Sequence, residues 1–477
     1  MLRNSRRIKI LRLAGCILGT AVLGLLACGS PVSKTEQTLP KPPNLMLIVA
    51  DDLGLQVGCY GNDRVGTPYT DRLAEEGMLF RRAFVCTAIC SPCRATMYTG
   101  MYPQTNGMMG FAPQHRMHDG VRPLPNWLKE MGYRTALIGK FHVSPPEAFQ
   151  WDYYQGLSGM GAVIKRDKNA YASRVRTFLE MAADGPFFLS VCFYDPHRPF
   201  PLAGGGKGIK APVPNPHDPG EVIVPPKLVD DPAVREDLAR YYDIARRFDE
   251  GVGAVLNELD KAGHRDDTLV LLTSDHGAPF AFAKTTLYDA GLNVPFVVRW
   301  PGVVKPGSRT DRMVSFVDIA PTFLAAAGCP IPDEMDGRSF IPILRGEKPG
   351  GWDTIYGSHT DHIRRTHFPM RAIRTERYKY IRNLRPDIEF RNFAWGTISF
   401  KRMMQLAETD PAVADRVEIF KHRPLEELFD LEKDPYELHN LAGDPAHQPV
   451  LQELRQRLRT WMMQTDDPLL NGWDPRE

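Results

Sequence analysis

The sequence lacks three features, and each shortage argues against a class of protein. Neither sign of charge dominates its 477 residues, since 59 Lys and Arg oppose 57 Asp and Glu for a formal net charge of +2. This balance argues against a nucleic-acid-binding protein. The eight cysteines are too few for a disulfide scaffold in a chain of this size. Beyond residue 27, no apolar run is long enough to span a membrane.

The N-terminus has the pattern of an export signal. An apolar run over 13–27, too short for a comfortable membrane span, follows the basic residues Arg3, Arg6, Arg7, Lys9 and Arg12. It ends in Leu25-Leu26-Ala27-Cys28, which resembles a bacterial lipobox. We expect a lipoprotein signal peptide (1–27), a lipid on Cys28 that attaches the chain to a membrane, and a tether (28–43). This predicts an exported bacterial lipoprotein in the periplasm or outer membrane; an ordinary signal peptide or an uncleaved anchor is the alternative.

The body of the chain has the pattern of an α/β fold. Short apolar runs alternate with helical patterns, which favours a mostly parallel sheet covered on both faces. The runs that predict buried strands are 45–50, 187–193, 268–273 and 295–300. A long amphipathic helix is predicted between Asp231-Pro232 and Gly263, because its apolar positions recur every three or four residues.

The segment Cys90-Ser91-Pro92-Cys93-Arg94 is the most informative one. Pro92 suits the first turn of a helix, and Gly100 can close that helix in a left-handed conformation. Residue 90 would then lie at a helix N-terminus, where an anion is stabilised, with Arg94 one turn further on. Cys86, Cys90 and Cys93 also match an iron–sulfur spacing, and Cys90 with Cys93 a redox spacing. Both alternatives fit poorly with an exported protein.

Carboxylates follow two of the predicted strands. The first strand leads into Asp51-Asp52, and the strand over 268–273 leads into Asp275-His276. Ligands of open α/β sheets bind beyond the carboxyl ends of the strands, so these side chains are expected to converge. Adjacent carboxylates at a buried strand end repel one another unless a cation is bound, and oxygen ligands suit calcium or magnesium. A solvated turn is the alternative for Asp51-Asp52.

Together these motifs resemble those of the type I, formylglycine-dependent sulfatases. The resemblance runs from about residue 44 to the C-terminus, and it rests on an ordered set of motifs: Asp51-Asp52, Cys90 to Arg94, Gly139-Lys140-x-His142, Asp195-Pro196-His197, and Asp275-His276-Gly277 with Lys284 and Tyr288. It implies an alkaline-phosphatase-like α/β/α sandwich over 44–350. It also implies a smaller C-terminal α+β subdomain, an antiparallel sheet plus a helix, over 351–477.

The resemblance implies a modified nucleophile and a metal ion. Cys90 would be converted to formylglycine by a formylglycine-generating enzyme. The modified residue would bind calcium together with Asp51, Asp52, Asp275 and His276. Many relatives have Asn at the position of His276, so this ligand departs from the common pattern.

The resemblance also implies roles for five basic residues. Arg94 and Lys140 would hold the hydrated formylglycine, and His142 would assist turnover. His197 and Lys284 would hold the substrate sulfate and the leaving group. Taken singly, such histidines are usually structural and such lysines are usually solvated. Their order and spacing beside the metal motif favour the functional interpretation.

Within the family, the chain is most similar to the heparan N-sulfatase (sulfamidase) subgroup. Segments that carry this similarity include 44–52, 106–108, 187–198, 249–253, 284–288 and 371–380. It implies a sulfated saccharide substrate, specifically the N-sulfate of terminal N-sulfoglucosamine. The alternatives are another sulfated sugar and a phosphate or phosphonate monoester on the same fold. A non-catalytic glycan-binding lipoprotein would be expected to have lost Cys90, Arg94 or Lys140.

The C-terminal part carries weaker predictions. Residues 378–382 are expected to form an exposed strand, and a terminal helix is expected over about 449–464. The loops of this part would form one wall of the pocket. Candidate sugar contacts on them are His359, His362, His367 and Arg371, and a polar surface loop is the alternative.

Overall fold

The computed structural model describes residues 42–157, 164–200, 214–362 and 367–472. The predicted signal peptide, Cys28 and most of the tether lie outside these ranges. Within them, no helix is both long and apolar enough to cross a bilayer.

In these ranges, fourteen strands form three sheets. The strands are β1 (Asn44–Ala50), β2 (Met78–Phe80), β3 (Ala83–Phe84), β4 (Arg134–Gly139), β5 (Tyr153–Gly156), β6 (Phe187–Cys192), β7 (Thr268–Ser274), β8 (Phe296–Arg299), β9 (Ser308–Thr310), β10 (Val314–Ser315), β11 (Thr354–Asp361), β12 (His367–Thr375), β13 (Tyr378–Asn383) and β14 (Glu426–Asp430). The large sheet has the order β5-β4-β6-β1-β7-β8-β2-β9. Only β8 runs against its neighbours among these eight strands, which confirms the predicted mostly parallel sheet.

Helices cover both faces of this sheet. The α-helices of the described ranges are α1 (Pro68–Glu76), α2 (Cys90–Thr99), α3 (Pro103–Asn106), α4 (Leu124–Glu130), α5 (Lys168–Met181), α6 (Pro232–Lys261), α7 (Asp289–Leu292), α8 (Ile319–Ala326), α9 (Ile341–Leu344), α10 (Ile398–Leu406), α11 (Pro411–Lys421) and α12 (Gln448–Gln464). Helices α1, α5 and α6 pack in one group and α2, α4 and α8 in another, while β4 contacts both α4 and α5. The predicted α/β/α sandwich is therefore confirmed.

Two helices begin and end where the sequence predicts. The Asp231 side chain caps α6 by accepting from the backbone N–H of Ala233, and Pro232 opens the first turn. The apolar positions of α6 are buried. Helix α2 begins at Cys90, and Gly100 ends it with φ +67°, a left-handed conformation that suits glycine.

The smaller sheet lies in the C-terminal part of the chain. Strands β11, β12, β13 and β14 are antiparallel in that order, and the side chains of α12 pack against the sheet through a second apolar cluster. The predicted antiparallel sheet with a terminal helix is therefore present. The boundary at residue 350 stays a prediction, since the sheet begins only at Thr354.

The expectation that residues 378–382 form an exposed strand is wrong in one respect. They form β13, but β13 lies between β12 and β14 and is largely buried. Lys379 is completely buried. Two ion pairs make burial of its charge possible, since its ammonium lies 2.7 Å from an Asp289 carboxylate oxygen and 2.8 Å from a Glu437 carboxylate oxygen. Carboxylates from other segments neutralise it, and this long-range pairing is invisible in the local pattern.

Candidate active site

Four adjacent parallel strands end at one edge of the large sheet. These strands are β4, β6, β1 and β7, paired in that order. Lys140 follows β4, Asp51 and Asp52 follow β1, and Asp275 and His276 follow β7. Parallel pairing brings all these chain segments to the same edge, as in other ligand sites of open α/β sheets.

Cys90 lies at the centre of this edge. Its Sγ is 3.3 Å from His276 Nε2, 3.6 Å from Asp51 Oδ1 and 3.7 Å from Lys284 Nζ. Burial raises the pKa of the thiol to about 12, and the charges of Lys140 and Lys284 lower it by less. The unmodified side chain is therefore a protonated thiol at neutral pH rather than a nucleophilic thiolate.

The thiols of Cys86, Cys90 and Cys93 do not form a common ligand set. Cys86 Sγ lies 3.2 Å from Ser315 Oγ, whereas Cys90 faces the carboxylates. In the described ranges, every group of side chains that could hold a metal combines Cys90 with Asp and His and omits the other two thiols. The six cysteines there are all free. The geometry thus disfavours an iron–sulfur site and a Cys90–Cys93 redox pair.

Arg94 links the helix of Cys90 to two strand ends. Its Nε donates to Asp275 Oδ2 at 2.9 Å, and its Nη1 donates to the Lys140 carbonyl oxygen at 2.8 Å. The guanidinium is completely buried, and the Asp275 charge raises its pKa well above the ordinary value although burial opposes this. A permanent positive charge therefore lies beneath the site.

Each of the adjacent carboxylates has its own lysine. Lys140 donates to Asp51, and Lys284 donates to both oxygens of Asp52 at 2.7 and 2.9 Å. Burial alone would raise the pKa of Asp51 and Asp52, but the lysine charges hold both pKa values below the ordinary range. Both carboxylates are ionised at neutral pH. Lys140 is 8% exposed and Lys284 is 4% exposed, so neither is an ordinary solvated surface lysine.

A backbone carbonyl orients the His276 ring at this edge. Its Nδ1 lies 3.0 Å from the Gly277 carbonyl oxygen, which can only accept, so Nδ1 carries a proton. In the neutral ring the lone pair of Nε2 then points at Asp52 Oδ1, 3.1 Å away. A ring nitrogen lone pair beside a carboxylate oxygen is an arrangement that suits a bound metal ion.

The donor set fits a metal ion that prefers oxygen. One ligand atom from each of Asp51, Cys90, Asp275 and His276 lies within 4.8 Å of the others, and a second such group combines Asp51, Asp52 and Cys90 with His197. Each group contains two carboxylates, which matches the preference of calcium for oxygen ligands. The five residues of the predicted ligand set are thus brought together.

Comparison with known proteins decides the family. The model of the sulfatase family matches residues 43–329, and that of the N-sulphoglucosamine sulphohydrolase C-terminal domain matches residues 276–393. The N-sulphoglucosamine sulphohydrolase of Homo sapiens is 35% identical over 461 residues, covering 90% of this chain and 91% of the relative. The chain belongs to the sulfatase family. It is a hydrolase of the sulfatase class, as the order of its motifs predicts.

Other relatives are similar over most of their length. A sulfatase of Formosa agariphila described as ulvan-active is 32% identical over 480 residues, covering 98% of this chain and 90% of that one. The phosphonate monoester hydrolase of Agrobacterium radiobacter has a TM-score of 0.69 at 22% identity, covering 89% of this sulfatase and 96% of the hydrolase. A protein solved with its substrate D-glucosamine-2-N,6-O-disulfate has a TM-score of 0.68 at 23% identity, covering 92% and 100%. These two structures support the alkaline-phosphatase-like fold alone.

His197 of the sulfatase is held by a buried ion-pair network. Asp195, two residues before it, pairs with Arg166 and with Arg247, whose Nε lies 2.6 Å from Asp195 Oδ2. Arg166 also donates to the His197 carbonyl oxygen at 2.8 Å. His197 Nδ1 contacts the Arg198 carbonyl oxygen, so it carries the proton and Nε2 faces Asp52 at 4.0 Å. Burial lowers the pKa of His197 to about 4.

His142 belongs to a wall of rings beside the site. Its ring lies 4.7 Å from that of Phe111, which is 5.0 Å from His362, and His362 is 6.2 Å from Phe393. Lys284 Nζ lies 5.5 Å from the Phe393 ring. Phe111 and Phe393 come from loops distant in sequence, and the sequence offered no signal for either.

Two hydroxyl groups that position the carboxylates were also missed by the sequence reasoning. Tyr241 lies on the apolar face of α6, but its hydroxyl donates to the Asp52 carbonyl oxygen at 3.1 Å and accepts from Gly54 N–H. The Ser274 hydroxyl donates to the His276 carbonyl oxygen and accepts from Leu53 N–H, both at 2.8 Å. Both residues lie in otherwise apolar segments, and an apolar pattern does not indicate that a hydroxyl group forms structural hydrogen bonds.

The candidate sugar contacts of the C-terminal part separate into two groups. Arg371 and His359 are buried, and Arg371 binds Asp467, so neither is placed to contact a sugar. His362 lies in the wall of rings, and the exposed His367 lies 2.8 Å from Asp361. Only His362 therefore lies beside the site.

His359 is expected to make the protein less stable in acid. Both its ring nitrogens are buried without a hydrogen-bond partner, and burial, with the charges of Arg423 and Arg371, lowers its pKa to about 3. Between about pH 6.5 and pH 3 the unfolded chain binds a proton that the folded one does not, so stability falls as pH falls. Between pH 6 and pH 4, we expect the free energy of unfolding to fall by about 2 kcal/mol less in His359→Gln than in the wild type. Urea unfolding at both pH values measures it.

The exposed His367 provides the matched control. His367→Gln replaces a ring that is 52% exposed rather than buried, so it should keep most of the stability loss between pH 6 and pH 4. An equal change in both variants would contradict the assignment to His359.

Proposed function

We propose that this sulfatase removes sulfate from a sulfated saccharide, and specifically from the nitrogen of N-sulfoglucosamine in heparan or heparin fragments. The observation that carries the proposal is the 35% identity with the N-sulphoglucosamine sulphohydrolase of Homo sapiens over 90% of the chain. The match to the C-terminal domain of that enzyme supports it, because residues 276–393 include Lys284 beside Cys90 and the rings of His362 and Phe393 near Lys284.

The charges of the site support an anionic substrate. Three carboxylates, those of Asp51, Asp52 and Asp275, are each paired with one cation, Lys140, Lys284 or Arg94. Their formal charges cancel, so a bound divalent cation would leave the site at +2. An N-sulfate group carries one negative charge and free sulfate two, and both would be attracted to such a site.

Two groups would supply chemistry that the unmodified chain lacks. Calcium, held by Asp51, Asp52, Asp275 and His276, would draw electron density from a sulfate oxygen. Cys90 as formylglycine would offer a hydrated aldehyde, whose two hydroxyl groups no ordinary side chain provides. The donor set described above fits the metal ion, and the unmodified Cys90 thiol, which stays protonated, would be a poor nucleophile without the modification.

The remaining residues would position the substrate and the side chain at position 90, or would transfer protons. Lys284, 3.7 Å from Cys90 Sγ, would hold a sulfate oxygen, and Arg94 and Lys140 would fix the side chain at position 90. His197 keeps one proton on Nδ1 through the Arg198 carbonyl oxygen. A second proton, taken up on Nε2 with the anionic substrate, would be given to the leaving nitrogen. His142 would accept a proton during turnover.

An O-sulfated glycan is the second candidate substrate. The Formosa agariphila relative described as ulvan-active is nearly as similar, at 32% identity over 98% of the chain. A phosphonate or phosphate monoester is a weaker alternative, because the similarity to the phosphonate monoester hydrolase concerns the fold alone.

The proposed cellular context follows from the leader. We propose an exported bacterial lipoprotein, attached through a lipid on Cys28 and matured by a formylglycine-generating enzyme. The basic residues, apolar run and Leu-Leu-Ala-Cys ending support the first part.

Sulfate release from single-sulfate saccharides tests the substrate. We expect protein produced with a formylglycine-generating enzyme to release sulfate from N-sulfoglucosamine at least about 100-fold faster than from 2-O- or 6-O-sulfated sugars, because a site built for one linkage rejects others strongly. Ion chromatography of sulfate measures it, and mass spectrometry confirms the aldehyde at residue 90. Release only from an O-sulfated sugar would overturn the N-sulfate proposal but leave the sulfatase assignment intact.

A further inference from the structure

A second cavity lies behind the segment that carries Lys284. It has a volume of about 570 Å³, and residues 278–283, which lead from the metal motif to Lys284, form one of its walls. Most of its lining is apolar, including Leu228, Leu238, Phe280 and Phe282. Cys90 and the carboxylates around it do not line it. A largely apolar cavity of this volume with a few polar groups is typical of a small-molecule site.

The mouth of this cavity exposes two large apolar side chains. Ile223 is 52% exposed and Tyr436 is 56% exposed, and both line the cavity. Single exposed apolar residues are ordinary, but a pair at the rim of an apolar cavity indicates a surface that binds an apolar group.

The cavity also has an excess of positive charge. Its lining holds four cations and three carboxylates, namely Arg81, Arg82, Lys227 and Arg374 with Asp289, Asp311 and Glu437. The three carboxylates already have partners: Asp311 pairs with Arg81 at 3.1 Å, Asp289 with Arg374 at 3.2 Å, and Glu437 with Lys379 at 2.8 Å. Lys227 and Arg82 have no described carboxylate oxygen within 4.0 Å.

Lys227 lies against ring faces rather than against a carboxylate. Its Nζ lies 3.1 Å from the centroid of the Tyr288 ring and 5.5 Å from that of Phe282. Burial lowers its pKa to about 8, although the charges of Glu437 and Glu427 act in the opposite direction. Ring faces compensate a partly buried ammonium less well than a carboxylate does, so an incoming anion would be favoured here.

We propose that this cavity binds a small amphipathic anion, an aryl or alkyl carboxylate. Its apolar body would lie between Leu238, Phe280 and Phe282, and its carboxylate would pair with Lys227. This site is distinct from the Cys90 site and does not depend on the substrate of the enzyme.

Calorimetric titration with 4-phenylbutyrate tests the proposal, with the neutral 4-phenylbutanol as the matched ligand. We expect saturable binding of the carboxylate with a Kd below about 1 mM and at least about 10-fold weaker binding of the alcohol. Lys227→Met should weaken carboxylate binding at least about 10-fold. Lys168→Met, at an exposed lysine that pairs with Glu250, should bind like the wild type.

A second variant covers the case in which Lys227→Met fails to fold. Ile223→Glu places a negative charge at the exposed mouth and should weaken binding of the carboxylate but not of the alcohol. Circular dichroism and the sulfate-release rate confirm that each variant is folded. Absence of saturable binding to the wild type, or equal affinity for Lys227→Met, would overturn the proposal.

Discussion

Cys90→Ala is expected to lower sulfate release by at least about 10⁴-fold, the scale on which loss of a covalent nucleophile acts. Cys90 Sγ lies among Asp51, His276 and Lys284, at the first position of α2, and alanine offers no atom that can be matured or can attack sulfur. The side chain is small, so the variant should keep its fold. Sulfate release from the best single-sulfate saccharide and the unfolding temperature measure the two effects.

Cys93 supplies a matched control in the same helix. It is buried one turn later, its thiol packs in the apolar core, and it occupies a variable position of the Cys-x-Pro-x-Arg motif. Cys93→Ala should mature normally and keep the rate within about threefold, with a stability loss of about 1 kcal/mol from the lost core volume. Equal inactivation of both variants, with the aldehyde still formed in Cys93→Ala, would contradict the assignment of Cys90.

Arg371→Met is expected to lower the free energy of unfolding by about 3–5 kcal/mol, because it leaves a buried charge without its partner. Arg371 Nε and Nη2 lie close to the two oxygens of Asp467, and both side chains are completely buried. The guanidinium also donates to the His359 carbonyl oxygen at 3.0 Å. Urea unfolding at pH 7 measures the loss.

Arg385 offers the same chemistry on the surface. It donates to both oxygens of Asp387, at 2.8 and 2.9 Å, but the two side chains are 43% and 61% exposed. Arg385→Met should therefore cost less than about 1 kcal/mol. If Arg371→Met were equally mild, the buried pair would not be holding β12 to the residues after α12.

Much of the fold could be predicted because its signals are local. Continuous apolar runs marked β1, β6 and β7, and a capping Asp with Pro and a three-to-four spacing marked α6. β13 shows the limit of this reasoning. Its charged residues predicted exposure, but carboxylates from distant segments bury Lys379.

The candidate site was predictable where it depends on strand ends. Once β1 and β7 are parallel neighbours, Asp51, Asp52 and Asp275 must lie at the same edge of the sheet. The Tyr241 hydroxyl could not be predicted, because a tyrosine on the apolar face of a helix looks the same whether or not its hydroxyl has a partner. The ring wall of Phe111 and Phe393 depends on two loops that no local pattern places together.

By itself, the sequence determined several buried strands and the long helix α6, the position of Cys90 at the start of α2, and the carboxylates at the strand ends. These follow from residue-level preferences that act over a few neighbours. Only the tertiary structure decided that Lys140 pairs with Asp51 and that Lys284 pairs with Asp52. It also decided that Arg371 forms a buried ion pair with Asp467 and that Lys227, which lines a cavity, has no carboxylate partner among the described residues. Charge pairing and burial depend on distances between segments far apart in the chain, which packing alone sets.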